Sequence, residues 1–180
     1  MRFDVSGDMK AISRDLNLVE RKIQRQAAAA ALNRTASTVR TASVREIAAL
    51  KNIVPQRLVR VRLLLGRQQR AHQNKLVAHI IALLAPIKMI GLSGVRETAA
   101  GVASRGRVVV GAFIARSQHG RRGVFKRVPG AKRLPIEEQT VPMQPEAETI
   151  IDKHIDTTGA VAWIKNFNAE MKWRLRRQRR

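Results

Sequence analysis

The segment from Gly101 to Val108 comes closest in this sequence to a motif that binds nucleotides. A phosphate-binding loop needs two glycines at a fixed spacing, then a lysine that contacts phosphate and a hydroxyl residue that holds magnesium. The glycine spacing is present, but Arg107 stands at the lysine position and Val108 at the hydroxyl position. The valines that follow predict a strand, whereas this loop must open a helix. We therefore predict no nucleotide site here.

The residues that ligate metals or act as nucleophiles also lack a site pattern. The chain has no cysteine, which excludes disulfides, thiolate zinc sites and cysteine nucleophiles. No Gly-x-Ser-x-Gly nucleophile motif occurs, because Gly91-Leu92-Ser93-Gly94 has the wrong spacing. Four histidines are present without the spacing of metal ligands: His72, His79, His119 and His154. We expect neither a metal nor a cofactor.

The carboxylates likewise form no pair suited to general acid–base catalysis. Asp152 and Asp156 lie one turn apart on a predicted helix, where acidic groups near the start are favoured by the helix dipole. We interpret them as a solvated acidic face. Glu137 and Glu138 are neighbours in a predicted strand, so their side chains point to opposite sides. The sequence therefore predicts a protein that is not an enzyme.

The strongest signal is charge. The chain of 180 residues has 35 Lys and Arg against 13 Asp and Glu, a net charge of +22. Residues 47–136 contain 18 of the basic residues and a single acid, Glu97. Such an excess predicts a polyanionic partner, which could be nucleic acid, an acidic protein surface or a membrane face. Aromatic residues make up only 3% of the chain, so contact with nucleic acid should involve phosphates and not stacked bases.

Ten basic residues are our candidates for contact with a partner or with DNA. Five of them crowd around a polar, glycine-bounded segment, residues 117–123, which predicts a hairpin tip. No acid lies between Glu97 and Glu137 in the sequence to pair these five locally. The ten candidates are Arg57, Arg60, Arg62, Arg67, Arg70, Arg116, Arg121, Arg122, Lys126 and Arg127.

Two helices should precede the strands. Apolar residues recur at helical spacing from Met9, and no Gly or Pro interrupts the pattern up to Val54, which predicts one helix over residues 9–50. Its length of about 60 Å exceeds the width of a small domain, so part of it should pack outside its own core. The alternative is a break near Asn33. Pro55 then predicts a second, shorter helix over residues 56–65.

Short β-branched segments and frequent turn residues predict an antiparallel sheet of about four to five strands. A C-terminal helix follows, and Thr157-Thr158-Gly159 predicts a kink in it. The predicted strands are residues 74–84, 96–104, 107–117, 123–128 and 135–141. The fold class is therefore α+β. We expect a single domain over residues 1–180, with a helical part (9–65), a β-sheet part (74–143) and a C-terminal helix with a basic tail (145–180).

No membrane association is expected. The longest apolar run, from Leu76 to Ile87, is interrupted by His79 and Pro86 and is too short to cross a bilayer. The start of the chain also lacks the basic and then apolar pattern of a secretion signal.

The segment from residue 111 to residue 143 carries a set of motifs at a specific spacing. They are Gly111-Ala112-Phe113-Ile114, Gly120, Val124-Phe125-Lys126-Arg127-Val128, Gly130, Arg133-Leu134-Pro135-Ile136 and Val141-Pro142-Met143. This set resembles the minor tail protein Z family of long-tailed bacteriophages. An alanine-rich first helix and the Val54-Pro55 step before a basic short helix are similar in character, whereas residues 66–106 carry no matching motif.

This resemblance implies a structural virion protein that completes the tail at its head-proximal end. It implies a homo-oligomeric ring, a hexamer by analogy with tail symmetry, at the head–tail junction around the DNA path. The implied partners are the tail terminator, the tail tube and the head connector or portal. The charge adds genomic double-stranded DNA, contacted through phosphates, as a candidate partner, and the sequence leaves open whether the basic surface faces DNA or protein. Assembly would take place in the host cytoplasm. The alternative, favoured by charge alone, is a free-standing protein that binds nucleic acid independently of sequence.

Overall fold

The computed structural model describes residues 5–51, 54–105, 107–117, 120–128, 130 and 135–178. In the first helix it describes side chains only for residues 20–50. Predictions that involve Gly106, Gln118, His119, residues 131–134 and Arg179-Arg180 lie outside the described residues. The chain divides into two compact units. The central unit comprises Arg40–Leu64 and Ile81–His154, and the terminal unit draws on Met1–Val39, Leu65–Ile80 and Ile155–Arg180. The expected single domain stays a prediction.

Helix α1 extends from Val5 to Lys51 without interruption, a length of 47 residues or about 70 Å. The prediction of one long N-terminal helix is confirmed, and the alternative break near Asn33 is absent. Instead, the Asn33 side chain binds a neighbouring loop. Its Nδ2 donates to the Ala71 carbonyl at 2.9 Å, while the Ala71 N–H donates to Asn33 Oδ1 at 2.8 Å. Asn33 thus holds the loop while its own backbone stays helical.

Helix α2 comprises only Gln56–Arg60, five residues, and begins after Pro55 as predicted. The predicted end at residue 65 is wrong. A turn closes where the Arg62 N–H donates to the Val59 carbonyl at 3.0 Å. The next residues, Leu63–Leu64, form a strand instead, and Leu63 is fully buried there.

The described residues form ten short strands, all paired in antiparallel fashion within the central unit. The pairs are β1 with β2, β3 with β10, β4 with β5 with β6, and β7 with β8 with β9. The α+β class is confirmed, but the strands form four sheets of two or three strands in place of one larger sheet. The strands are β1 (Leu63–Leu64), β2 (Ile81–Ala82), β3 (Ile87–Lys88), β4 (Arg96–Thr98), β5 (Gly101–Ser104), β6 (Arg107–Val110), β7 (Ala112–Arg116), β8 (Arg122–Arg127), β9 (Ile136–Glu138) and β10 (Thr140–Val141).

Local backbone features explain why the predicted strands are subdivided. The predicted strand over residues 107–117 breaks at Gly111, because the backbone of this residue has a φ of +73°, which lies outside the range of a regular strand. Predicted strand 135–141 breaks at Gln139, whose N–H donates to the Val124 carbonyl and whose own carbonyl accepts from Met89 N–H. Predicted strand 96–104 folds back on itself as the β4–β5 hairpin. Of predicted strand 74–84, only Ile81–Ala82 pairs in a sheet.

The core of the central unit joins the strands to the end of α1 and to helix α3, Glu146–His154. Helix α3 buries Ala147, Ile150 and Ile151, which recur at helical spacing on one face. The largest fully buried side chains of this unit are Ile47, Leu63, Met143, Val59, Val102 and Val124. Such a core can fix the sheets even though each strand is short.

The terminal unit combines residues up to Val39 of α1 with helix α4, Ala160–Gln178. A π-helical turn, Ile155–Gly159, precedes α4 and coincides with the irregularity predicted at residues 157–159. Small residues line the buried face of α1, including Ala27 and Ala31, both fully buried, which permit close helix packing. Polar contacts add to this packing, since Asn166 Nδ2 donates to Thr35 Oγ1 at 3.2 Å.

Candidate functional site

The hairpin of β7 and β8 holds half of the predicted contact residues. Its register places Arg116 directly opposite Arg122, and both are exposed. Arg121 and Arg127 are exposed as well, whereas Lys126 is half-buried. Like charges directly opposite each other destabilise a strand pair. The hairpin therefore presents a repulsive pair of guanidinium groups that an anion would relieve.

The fold brings carboxylates to this hairpin that the sequence argument did not anticipate. The Ile114 N–H of β7 donates to Glu97 Oε1 at 2.6 Å, and Glu97 lines a shallow cavity together with Arg116 and Arg122. On the other side of the hairpin, Lys126 stands opposite Glu137 of β9. The premise that no acid is available locally was therefore wrong: two of the basic residues share a cavity with one acid, and a third faces another across the sheet.

The three predicted arginines near α2 have different surroundings. Arg57 and Arg60 are exposed and lie one turn apart on α2. Arg62 is half-buried, and its guanidinium donates to the Ala85 carbonyl. This hydrogen bond connects the start of β1 to the segment that follows β2, which gives Arg62 a structural role. Arg57 and Arg60 are the freer pair.

Arg67 and Arg70 belong to the terminal unit, apart from the other eight candidates, which belong to the central unit. Both side chains are exposed in a turn where the Arg70 N–H donates to the Arg67 carbonyl at 3.3 Å. The structure thus leaves Arg62 bound within the fold and sorts the other nine candidates into three groups. These are the α2 pair (Arg57 and Arg60), the turn pair (Arg67 and Arg70) and the hairpin set (Arg116, Arg121, Arg122, Lys126 and Arg127).

An ion-pair group outside these surfaces joins α1 to α3 within the central unit. Glu46 Oε1 lies 2.9 Å from Lys153 Nζ, and Glu46 Oε2 lies 2.8 Å from His154 Nε2. The hydrogen bond from Lys153 is the main cause that lowers the pKa of the Glu46 carboxyl below its ordinary value. The group links two helices, which assigns it to stability.

Residues that raised chemical questions in the sequence occupy ordinary structural positions. Gly101 and Arg107, from the loop-like motif, lie on the paired strands β5 and β6, so the segment is a hairpin and opens no helix. Glu138 forms an ion pair with Lys88 at 2.7 Å. The described residues contain no group of three potential ligands that could hold a metal ion. Among the helices described, none has the length and apolarity that a bilayer crossing requires.

Comparison with protein families gives a match over residues 5–180 to the prophage minor tail protein Z (GPZ) family. The chain belongs to this family. Membership supports a structural role in a phage tail, which favours a non-enzymatic function and implies a place in the virion tail in contact with other virion components. The match also covers residues 66–106, where the sequence alone carried no motif. Comparisons with curated proteins and with solved structures gave no match.

Several residues that carry the resemblance to the tail protein family occupy fold-determining positions. Gly111 adopts the positive φ between β6 and β7, and Phe113 of β7 packs on Phe125 of β8 with ring centroids 6.4 Å apart. Val141 and Met143 are buried. These motif residues therefore determine the shape of the hairpin and the packing beneath it. The exposed arginines beside them have no such role in the fold and are available to contact a partner.

Proposed function

We propose that this protein completes the tail at its head-proximal end and forms a multi-subunit ring, a hexamer, at the head–tail junction. The single observation that carries the proposal is the family match over residues 5–180. In this arrangement the ring surrounds the path of the genome and contacts the tail terminator, the tail tube and the head connector or portal. The chain acts there as one domain and reaches this place from the host cytoplasm during assembly.

The length of α1 supports a multi-subunit assembly. A helix of 47 residues spans about 70 Å, more than a domain of this size needs for its own core. Helix α4 adds exposed apolar side chains, among them Val161 and Ile164 at 72% and 61% exposure. Apolar surface of this kind is typical of sites where proteins meet. Neighbouring subunits that pack along these helices would remove it from water.

The charge supports a polyanion in the channel of the ring. Each copy of the chain adds a net charge of +22, so a ring made of this chain alone would bring many positive charges together, and these repel one another. Phosphates of double-stranded DNA would offset it, with Arg57, Arg60 and the hairpin set as contacts. Arg67 and Arg70 would contact DNA or a neighbouring protein in the same way.

Electron cryo-microscopy of purified phage particles tests this proposal. We expect several copies of the chain in a ring between head and tail, with α1 buried between subunits. A single copy, or an α1 wholly exposed to solvent, would contradict the ring. A free-standing nucleic-acid-binding protein, the alternative that charge alone favours, would be absent from purified particles and present on DNA in infected cells.

A further inference from the structure

A cleft in the central unit is lined by four arginines and lies between α1 and α2. It has a volume of about 280 Å³ and is lined also by Thr41, Val44 and Gln56. No carboxylate is among the lining residues that the structure describes. We call it the arginine cleft, formed by Arg40, Arg45, Arg57 and Arg60. Arg40 and Arg45 were not among the sequence candidates, because single arginines on a helix look like an ordinary solvated face.

The protein itself satisfies little of this positive charge. Arg40 Nη2 donates to the Arg60 carbonyl at 2.9 Å, which fixes one guanidinium across the cleft. Arg40 Nε is shielded from solvent and has no hydrogen-bond acceptor among the described residues. A buried donor without an acceptor is costly, and clustered guanidinium groups without a carboxylate repel one another. An oxyanion in the cleft would reduce this repulsion and would accept hydrogen bonds from the guanidinium groups that line it.

We propose that the arginine cleft binds phosphate groups of the DNA backbone, a proposal that rests on the DNA path of the proposed function. The guanidinium fork matches the oxygens of a phosphate and can bind them through two parallel hydrogen bonds. A second copy of the chain is a poor source of the anion, because each copy has 13 acids against 35 basic residues. Duplex DNA supplies about one negative charge per 1.7 Å, a density suited to this excess.

Two matched double variants of the full chain test the proposal. Arg57→Gln with Arg60→Gln removes two charges from the cleft and leaves the Arg60 carbonyl in place for Arg40. Arg96→Gln with Arg107→Gln removes two charges from exposed strand positions outside the cleft. Glutamine keeps the helix propensity of α2 nearly unchanged. Circular dichroism and thermal unfolding establish that both variants fold.

Binding to a labelled duplex of about 30 base pairs is followed by fluorescence anisotropy between about 50 and 200 mM salt. Two lost phosphate contacts should reduce the magnitude of the slope of log K against log salt by about 1.8. With the two affinities equal at about 1 M salt, where the charge contribution vanishes, binding at 100 mM salt is then about 60-fold weaker. The strand variant should show a smaller loss and a slope close to that of the unmodified protein. In parallel, the Nε–Hε NMR signals of the cleft arginines should shift when DNA is added.

Equal losses in both variants would overturn the proposal, because net charge alone would then account for binding. Poly-glutamate is the second probe. A cleft variant that keeps full DNA binding but loses poly-glutamate binding would overturn it in favour of an acidic protein partner. Electron microscopy of particles separates this result from the proposed function. If a ring is seen at the junction but the cleft variant still binds DNA fully, only the DNA-binding role of the cleft is refuted. If the cleft variant loses DNA binding but no ring is seen, only the proposed ring is refuted.

Discussion

Removal of the buried carboxylate of Glu170 should destabilise the terminal unit. The Glu170 side chain on α4 is only 6% exposed. Its Oε1 lies 2.8 Å from Arg34 Nη2 on α1, and its Oε2 lies 3.4 Å from Arg174 Nη2 one turn further along α4. Arg174 in turn donates to Gln26 Oε1 at 3.0 Å. The substitution Glu170→Gln keeps the size of the side chain and removes the charge that holds this network.

The exposures of the two arginines set the size of the effect. Loss of one partner of a fully buried ion pair costs about 3–5 kcal/mol, because an uncompensated charge stays buried. Here the Arg34 side chain is 62% exposed and the Arg174 side chain 22% exposed, so both can regain some water. Hydrogen bonds to charged groups contribute about 1.5–3 kcal/mol. We therefore expect a loss of about 2 kcal/mol, or about 4–8 °C in Tm for a chain of this size.

Thermal unfolding followed by circular dichroism measures this loss. The matched control is Glu20→Gln on α1, because Glu20 is exposed and, among the side chains that the structure describes, accepts a hydrogen bond from Gln24 one turn away. An exposed substitution of this kind should change stability by less than about 0.5 kcal/mol. If Glu170→Gln and the control unfold at the same temperature, the buried ion pair does not stabilise the packing of α4 on α1 and our reasoning is refuted.

Three further predictions concern the central unit. Arg121→Ser with Arg122→Ser should leave the circular dichroism spectrum and Tm nearly unchanged but impair the joining of purified tails to heads, scored as infectious particles; full infectivity would contradict this. Because the pKa of the Glu46 carboxyl is lowered in the folded protein, the Glu46 ion pairs stabilise the fold at neutral pH, and this stabilisation is lost as the pH falls through the folded pKa. The difference in Tm between the unmodified protein and Glu46→Gln should therefore vanish in acid. Gly101→Ala should destabilise strongly, because a Cβ there would lie 2.2 Å from the Val109 carbonyl oxygen at a φ of +142°; an unchanged Tm would refute that close approach.

The helices could be predicted from the sequence because their signals are local. Apolar spacing and the absence of Gly and Pro extend over the whole of α1, and the small residues around Ala27 have high helix propensity. The start of α2 at Pro55 follows from a single residue type. A helix thus needs only information from its own segment. The sequence left open a break near Asn33, whereas the structure shows that this side chain binds the distant backbone of Ala71, a contact that no local pattern reveals.

The sheets were harder to predict because strand pairing is nonlocal and these strands are short. A two-residue strand such as Leu63–Leu64 has no alternating pattern that could distinguish it from the end of a helix. Its partner, Ile81–Ala82, lies well separated in the sequence. Likewise, the sequence pattern predicts one strand over residues 135–141. Gln139 interrupts this strand because its backbone N–H and carbonyl form hydrogen bonds with Val124 and Met89 of other segments.

The candidate site shows the same division between local and nonlocal information. The charge excess and the arginines of the hairpin were visible in the sequence, because composition needs no fold. The acid beside Arg116 was not visible in the sequence, since Glu97 comes to the hairpin only in the fold, where it accepts a hydrogen bond from the backbone N–H of Ile114. That acid supports the assignment of DNA to the arginine cleft, because the hairpin pair shares its cavity with a carboxylate and the cleft, as described, has none. Of these two basic surfaces, the arginine cleft is therefore the less neutralised one, and it is the stronger candidate for contact with a polyanion.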